Sequence, residues 1–374
     1  MTAIRSRPPD RIMSRVLASV LLPLLLIPVG KLRADSEQDF LLFVSLEAFD
    51  ESSSDNPKLD DSGFSPAVDM LYTFSGDRFR VLGEFFNSRD ENDLERLQVG
   101  WQAGEQTVIW LGRFHQPGKY WSTEYHHGQL MQTTISQPGV EQWEDDGGPI
   151  PSHVTGVLME SEFVRDDSSG FELALSAGLA PKLAIEGLQP LDLLDPESGH
   201  RTAANFRFAY RPDILSENRV GLLGGWSDIN VDGDTQAAFD GLSAIKQTTL
   251  SVYADWRWDK WRLISSVTHF SNDLELPGTT DTGRFLSGYL QAEYSIDSDW
   301  TLFARIENSD DEEKSAFLSL LPEFVTRQDV LGVRWDIATK HSLTLELSDT
   351  SVHAEDAGND HSNAIRLQWS TVFP

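Results

Sequence analysis

The chain contains no cysteine among its 374 residues, which excludes disulfides and thiolate metal sites. After the first 34 residues no apolar run approaches 18, so no membrane-spanning helix is encoded there. Basic residues are scarce, 30 Lys and Arg against 59 Asp and Glu. A nucleic-acid partner, which needs basic surface against phosphate, is thereby excluded. Apolar residues are nevertheless plentiful, with 11 Trp and 20 Phe.

Residues 1–34 read as a cleaved secretory signal peptide. Arg5, Arg7, Arg11 and Arg15 form a basic leader, Val16 to Val29 is an apolar run broken by Pro23 and Pro28, and Ala34 offers a small residue for cleavage. Removing six Lys/Arg and one acid with this segment moves the net charge from −29 to −34. Residues 35–374 then form the mature domain.

In that domain apolar residues recur at every second position over segments of about ten residues, a strand period and not a helical one. Leu97, Val99 and Trp101 make one such face; Leu250, Val252, Ala254, Trp256 and Trp258 make another. Counting along the chain gives about sixteen strands. The connections alternate in length. Those at 75–77, 103–105, 166–169, 259–260, 297–299 and 339–340 are short, and 212–218 is somewhat longer. Those at 50–65, 115–152, 180–201, 230–244, 271–283, 308–326 and 350–361 are long and mostly acidic, with 87–93 the short exception. In a bilayer every backbone amide must be paired internally, so without a helix only a closed barrel can span. The expected fold is therefore all-β: a transmembrane antiparallel up-and-down barrel with its short turns on the periplasmic side. Trp256, Trp258, Trp261, Trp300 and Trp335 fall beside those turns, where amphipathic rings favour a membrane–water interface.

If the apolar face meets lipid, the opposite positions line the interior. These are Arg80, Glu84, Arg113, Asn205, Arg207, Asp255, Arg257, Arg262, Arg305, Glu307, Arg334, Asp336, Glu346, Arg366 and Gln368. The interior is then expected to be polar and water-filled. For any one of these residues, pairing within the wall is the plainer role; together, arginines facing an acidic loop would set a transverse field.

The 115–152 stretch stands out for length, since an irregular connection so long is expected to be functional. Four of the nine histidines lie at or beside it, His115, His126, His127 and His153, with Glu124, Glu141, Glu144, Asp145 and Asp146. Glu124, His126, His127, Glu141, Asp145 and Asp146 are the candidates for a constriction or solute-binding site. Imidazole with carboxylate suits Zn²⁺-type ions, which makes His126, His127 and Asp145 candidate ligands, although adjacent histidines do not share one face of an extended segment. A hydrogen-bonded plug is the plainer reading of the same loop. No cofactor is expected beyond weak Ca²⁺ or Mg²⁺ association at the acidic external loops. Ser122 and Ser136 lie near His126 and Asp145, but no Gly-x-Ser-x-Gly context surrounds either, so a hydrolase is disfavoured. An energised plugged transporter would need about 22 strands.

The signal peptide, the alternating strands, the rhythm of turns and loops, and the last strand from Ile365 to Phe373 resemble Gram-negative outer-membrane porins. The chain departs from that family's aromatic terminus in ending on Pro374. The resemblance implies a channel for passive diffusion of small hydrophilic solutes or ions, with no enzyme activity and with the third external loop, 115–152, folded into the lumen. A substrate-specific or metal-linked uptake channel is the alternative. The partners it implies are outer-membrane lipid and lipopolysaccharide, the barrel-insertion machinery and small solutes, and a homotrimer is the assembly it suggests.

Overall fold

The computed structural model describes residues 36–53, 60–89, 92–125, 129–144, 147–185, 187–194, 196, 198–310, 315–321, 324–353 and 359–374. The signal-peptide expectation for 1–34 lies outside them, and residues 38–374 form one compact unit. Its strands are β1 (Glu37–Ser52), β2 (Asp61–Ser75), β3 (Phe79–Ser88), β4 (Asn92–Gly104), β5 (Thr107–His115), β6 (His153–Val164) and β7 (Gly170–Leu179). A small hairpin follows, β8 (Lys182–Ala184) and β9 (Gly187–Gln189). The series continues with β10 (Thr202–Arg211), β11 (Arg219–Val231), β12 (Ala244–Trp258), β13 (Trp261–Leu276) and β14 (Thr279–Ser295). It ends with β15 (Trp300–Asp310), β16 (Val325–Ala338), β17 (His341–His353) and β18 (Asn359–Phe373).

Leaving out the small hairpin, each strand pairs antiparallel with its neighbours in sequence. β18 returns to β1, with Leu42 opposite Phe373 and Ser52 opposite Asn363, so sixteen strands close a barrel. Closure removes the free edges that a bilayer could not satisfy. The two faces of each strand then separate by chemistry. Val252, Val267, Ile306, Leu331 and Leu347 point outward and remain exposed to the surroundings, whereas Ser251, Gln291, Arg305, Gln328 and Glu346 point inward and are buried. The expected tryptophans gather at one end of β12, β13, β15 and β16: Trp300 lies opposite Trp335 in register and stacks on it at 5.3 Å, and Trp258 lies opposite Trp261. At that end the turns are short, as at 259–260 and 339–340.

The opposite end departs from the sequence reading most plainly at one connection. The expected long loop at 271–283 is strand almost throughout, because β13 and β14 run 16 and 17 residues to a two-residue turn, Pro277-Gly278. Gly278 has φ +78°, which the second central position of a type II turn requires after proline. The Pro-Gly pair itself was the signal, hidden by the acidic residues around it.

The interior also differs from a uniformly wet one. Tyr253, Phe270, Phe285, Tyr289 and Phe303 project inward and are buried. Phe303 fits over Gly332 of β16, where a Cβ would stand 2.2 Å from its ring. Tyr253 and Tyr289 pack against Tyr120 and Trp121 of the chain that enters the barrel from the third long connection, whereas Phe270 stacks on Phe285, which meets Phe324.

Candidate constriction site

That connection leaves β5 at His115 and rejoins the wall at His153, its neck closed by Gln116 N donating to Ser152 O at 2.9 Å. Inside it, Trp121–Glu124 forms a short helix (α1) and Gly139–Glu141 a 3-10 turn. Lys119 is fully buried at the root. Its ammonium donates to Ser152 Oγ at 2.6 Å and to the carbonyls of Gln142 and Ile150, tying the outgoing arm to the returning one. Trp121 Nε1 donates to Gln132 Oε1 at 2.8 Å and Trp121 N to Glu141 Oε2 at 3.2 Å, so the loop carries a core of its own.

The inward groups of the wall hold this loop at two places. On the β10–β13 side, Arg207 and Arg219 both donate to Glu124 Oε1, at 3.2 and 2.8 Å. Tyr120 donates to Asp255 at 2.6 Å, and Arg262 joins Asp255 to the Tyr125 hydroxyl. On the β15–β17 side the contacts reach the loop backbone. Glu346 accepts from the amides of Ile135 and Ser136 at 2.7 and 3.1 Å, and Glu307 accepts from Gly139 N at 2.9 Å. Arg305 donates to the carbonyls of Ser136 and Gln137, and Arg334 to those of Leu130 and Gln132. Irregular backbone at membrane depth needs such partners, because neither lipid nor neighbouring strand supplies them. Between the two anchor sites Tyr120, Trp121, Tyr125, Val140 and Ile150 pack in one buried cluster with Tyr253, Phe270, Phe285 and Tyr289.

Toward the short-turn end a cavity of about 250 Å³ remains. Met131 and Thr133 of the loop form one side, and Arg257, Arg262, Glu293, Arg334 and Asp336 of the wall the other.

All eight wall arginines expected from the strand phase lie on the inward side of their strands, and most are bonded. Arg113 bonds Asp93, Arg262 bonds Asp255, Arg334 bonds Asp336, and Arg366 lies by Glu47 and Glu51. Arg80 donates to Gln102 at 2.7 Å, and Arg257 pairs with Glu217 near a short turn. Glu84 pairs with Arg96. Among the described residues, wall acids and wall arginines both grip the loop backbone, and Arg207 and Arg219 face the loop acid Glu124.

Of the loop candidates, Glu124 meets Arg207 and Arg219, as above. Glu141, a candidate for the constriction or solute binding, is buried inside the loop, where its carboxylate accepts from Trp121 N. Burial pushes its carboxyl above the usual range, against the pull of Lys119 and the backbone amides of Trp121 and Tyr120. His126, His127, Asp145 and Asp146 lie outside the described residues. The sequence reading also missed Lys119, Tyr120 and Arg219. Arg219 was legible, because it precedes the outward Val220 and Leu222 in the strand alternation.

No family model matches the chain, and no curated protein matches it in sequence. Solved structures do match in shape. An anion-selective porin from Comamonas acidovorans superposes with TM-score 0.60 at 10% identity, over 91% of this chain and 100% of that one. The outer-membrane channel DcaP of Acinetobacter baumannii gives 0.58 at 10%, over 92% and 99%. OmpF of Salmonella typhi, in complex with daunomycin, gives 0.57 at 12%, over 90% and 97%. The fold is that of the outer-membrane porins. At these identities the likeness is one of architecture, so which side chains line the porin-fold interior has to be read from this chain itself.

Proposed function

We propose that the protein is an outer-membrane channel for passive diffusion of small hydrophilic solutes, narrowed by residues 115–152. The observation that carries this reading is the double anchoring of the loop to inward wall groups: Glu124 to Arg207 and Arg219 on one side, Ile135 to Gly139 to Glu346, Arg305 and Glu307 on the other. A loop held that way across a barrel divides its cross-section. What passes is then set by the polar groups left uncovered, among them those around the 250 Å³ cavity. Export into the outer membrane follows from the same reading, since an outward apolar band needs lipid around it.

The hydrolase alternative needs Ser122 or Ser136 beside His126 and Asp145, and the latter two lie outside the described residues. Ser136 Oγ accepts from Arg305 at 2.9 Å, and Ser122 Oγ is buried without a hydrogen-bond partner among the described residues.

The test is swelling of proteoliposomes in iso-osmotic neutral sugars of graded size. Entry of the small sugars with exclusion of the large supports the reading. Absence of swelling from demonstrably folded protein overturns it.

A further inference from the structure

At the root of the loop, three ligating side chains from three strands converge. Glu95 comes from β4, His115 from the end of β5 and His153 from the start of β6, and all are buried. One donor atom from each falls within 4.8 Å of the others. His153 Nε2 stands 2.6 Å from Glu95 Oε2, and His115 Nε2 stands 3.9 Å from the same oxygen.

We propose that Glu95, His115 and His153 bind a divalent transition-metal ion of the Zn²⁺ type, which pins the root of the loop to the barrel wall.

Three features argue for this. The first is spacing. Ligands about 2.0–2.2 Å from a tetrahedral Zn²⁺ lie about 3.3 Å apart, and the two measured separations straddle that value. Small side-chain rotations would therefore seat an ion, with Glu95's second oxygen or a water at the fourth position.

The second is orientation. His153 Nδ1 lies 2.9 Å from Glu144 Oε1, which leaves Nε2 facing Glu95 and His115. Glu144 is itself fixed, accepting from Ser152 N at 2.9 Å and from His153 N at 3.3 Å. A carboxylate behind a ligating imidazole fixes its tautomer and raises its basicity.

The third is that the backbone departs from regular pairing to put Glu95 there. β3 and β4 shift register at this point: Glu84 pairs with Arg96 and Phe86 with Asp93, so β4 carries an extra residue. In regular alternation with Leu97 and Val99, Glu95 would face lipid. The bulge turns it inward beside Arg96. Trp143 of the loop stacks on the His153 ring, centroids 5.4 Å apart and 13° from parallel, and closes the pocket from solvent. An ion would thus be enclosed as the loop docks.

The proposal does not rest on the diffusion-channel reading, and its test needs no transport. Full-length processed protein, folded in detergent and stripped with chelator, is titrated with Co²⁺ and then challenged with Zn²⁺. The expected result is about one equivalent of Co²⁺ with visible bands of low-coordinate nitrogen and oxygen ligation, displaced by Zn²⁺. The His115→Gln/His153→Gln variant should lose this signal while His126→Gln/His127→Gln retains it. Should the first variant fail to fold, Glu95→Gln, which keeps the side chain's size, should weaken Co²⁺ at least about tenfold. Wild-type protein without stoichiometric Co²⁺, a signal that follows His126 and His127 instead, or unchanged affinity in folded Glu95→Gln would each overturn it.

Discussion

Glu346 of β17 and Ile135 of the loop are 211 positions apart in sequence, yet the Ile135 amide donates to the Glu346 carboxylate at 2.7 Å. The same carboxylate takes the next amide, from Ser136. A buried acid on the wall thus stands in for the partner that irregular backbone lacks, and most predictions below follow from that kind of contact.

Replacing Glu346 with alanine leaves two loop amides without their acceptor. Hydrogen bonds to charged groups contribute about 1.5–3 kcal/mol each. Glu346→Ala, and more so Glu346→Ala/Glu307→Ala, should loosen the 130–139 segment and raise single-channel conductance with added open-state noise. Recordings identical to wild type would remove these acids from the anchoring role.

Buried and exposed ion pairs should behave differently. Arg262 and Asp255 are nearly enclosed, with Tyr120 and Tyr125 bonded to the pair. Arg262→Ala strands the Asp255 charge and should cost about 3–5 kcal/mol in urea unfolding of the detergent-folded barrel. Arg327 and Asp329 sit exposed on the outside, so Arg327→Ala should cost no more than about 1 kcal/mol.

Leu331 lies mid-strand in β16, outward and 60% exposed. Against lipid, Leu331→Arg should destabilise the folded barrel by about 2–4 kcal/mol, while Leu331→Phe should be near neutral. Equal behaviour of the two in vesicles would argue that this face does not meet hydrocarbon.

Acid should tighten the loop. Burial raises the Glu141 pKa in the docked loop, against the opposing pull of Lys119, above the value it would have undocked. Docking therefore gains stability as pH falls through the raised value, and the gain is complete below the undocked one. Mean conductance should decline over that window in wild type and lose that component in Glu141→Gln. A pH profile unchanged by the substitution would exclude Glu141 as its source.

Much of this was legible in the chain. Two-residue alternation located the strands, and it put Arg207, Arg262, Arg305, Glu307, Arg334 and Glu346 on the inner wall, because a lipid-facing charge is so unfavourable that its phase is fixed. Alternation fails where the strand does. Glu95 is turned inward by a bulge that no local residue announces, so the Glu95, His115 and His153 cluster could not be assembled from sequence, although both histidines were visible at the loop's ends. Inward Tyr253, Phe270 and Tyr289 were missed for another reason. Tyr253 and Tyr289 meet Tyr120 and Trp121 from more than a hundred residues away, Phe270 stacks on Phe285 of the next strand, and apolar side chains facing inward make sense only once other chain is there to cover them. The burial of Glu141 was not legible either, since an acidic residue in a polar loop gives no sign that it folds back under Trp121.

The central claim is that residues 115–152 narrow a water-filled path through the barrel. The most direct measurement is single-channel conductance in planar bilayers for wild type and for a variant lacking residues 118–148, with folding verified for both. Discrete wild-type steps and distinctly larger steps in the deletion are predicted. Equal conductance in the two, or no conductance from either folded protein, would contradict the account.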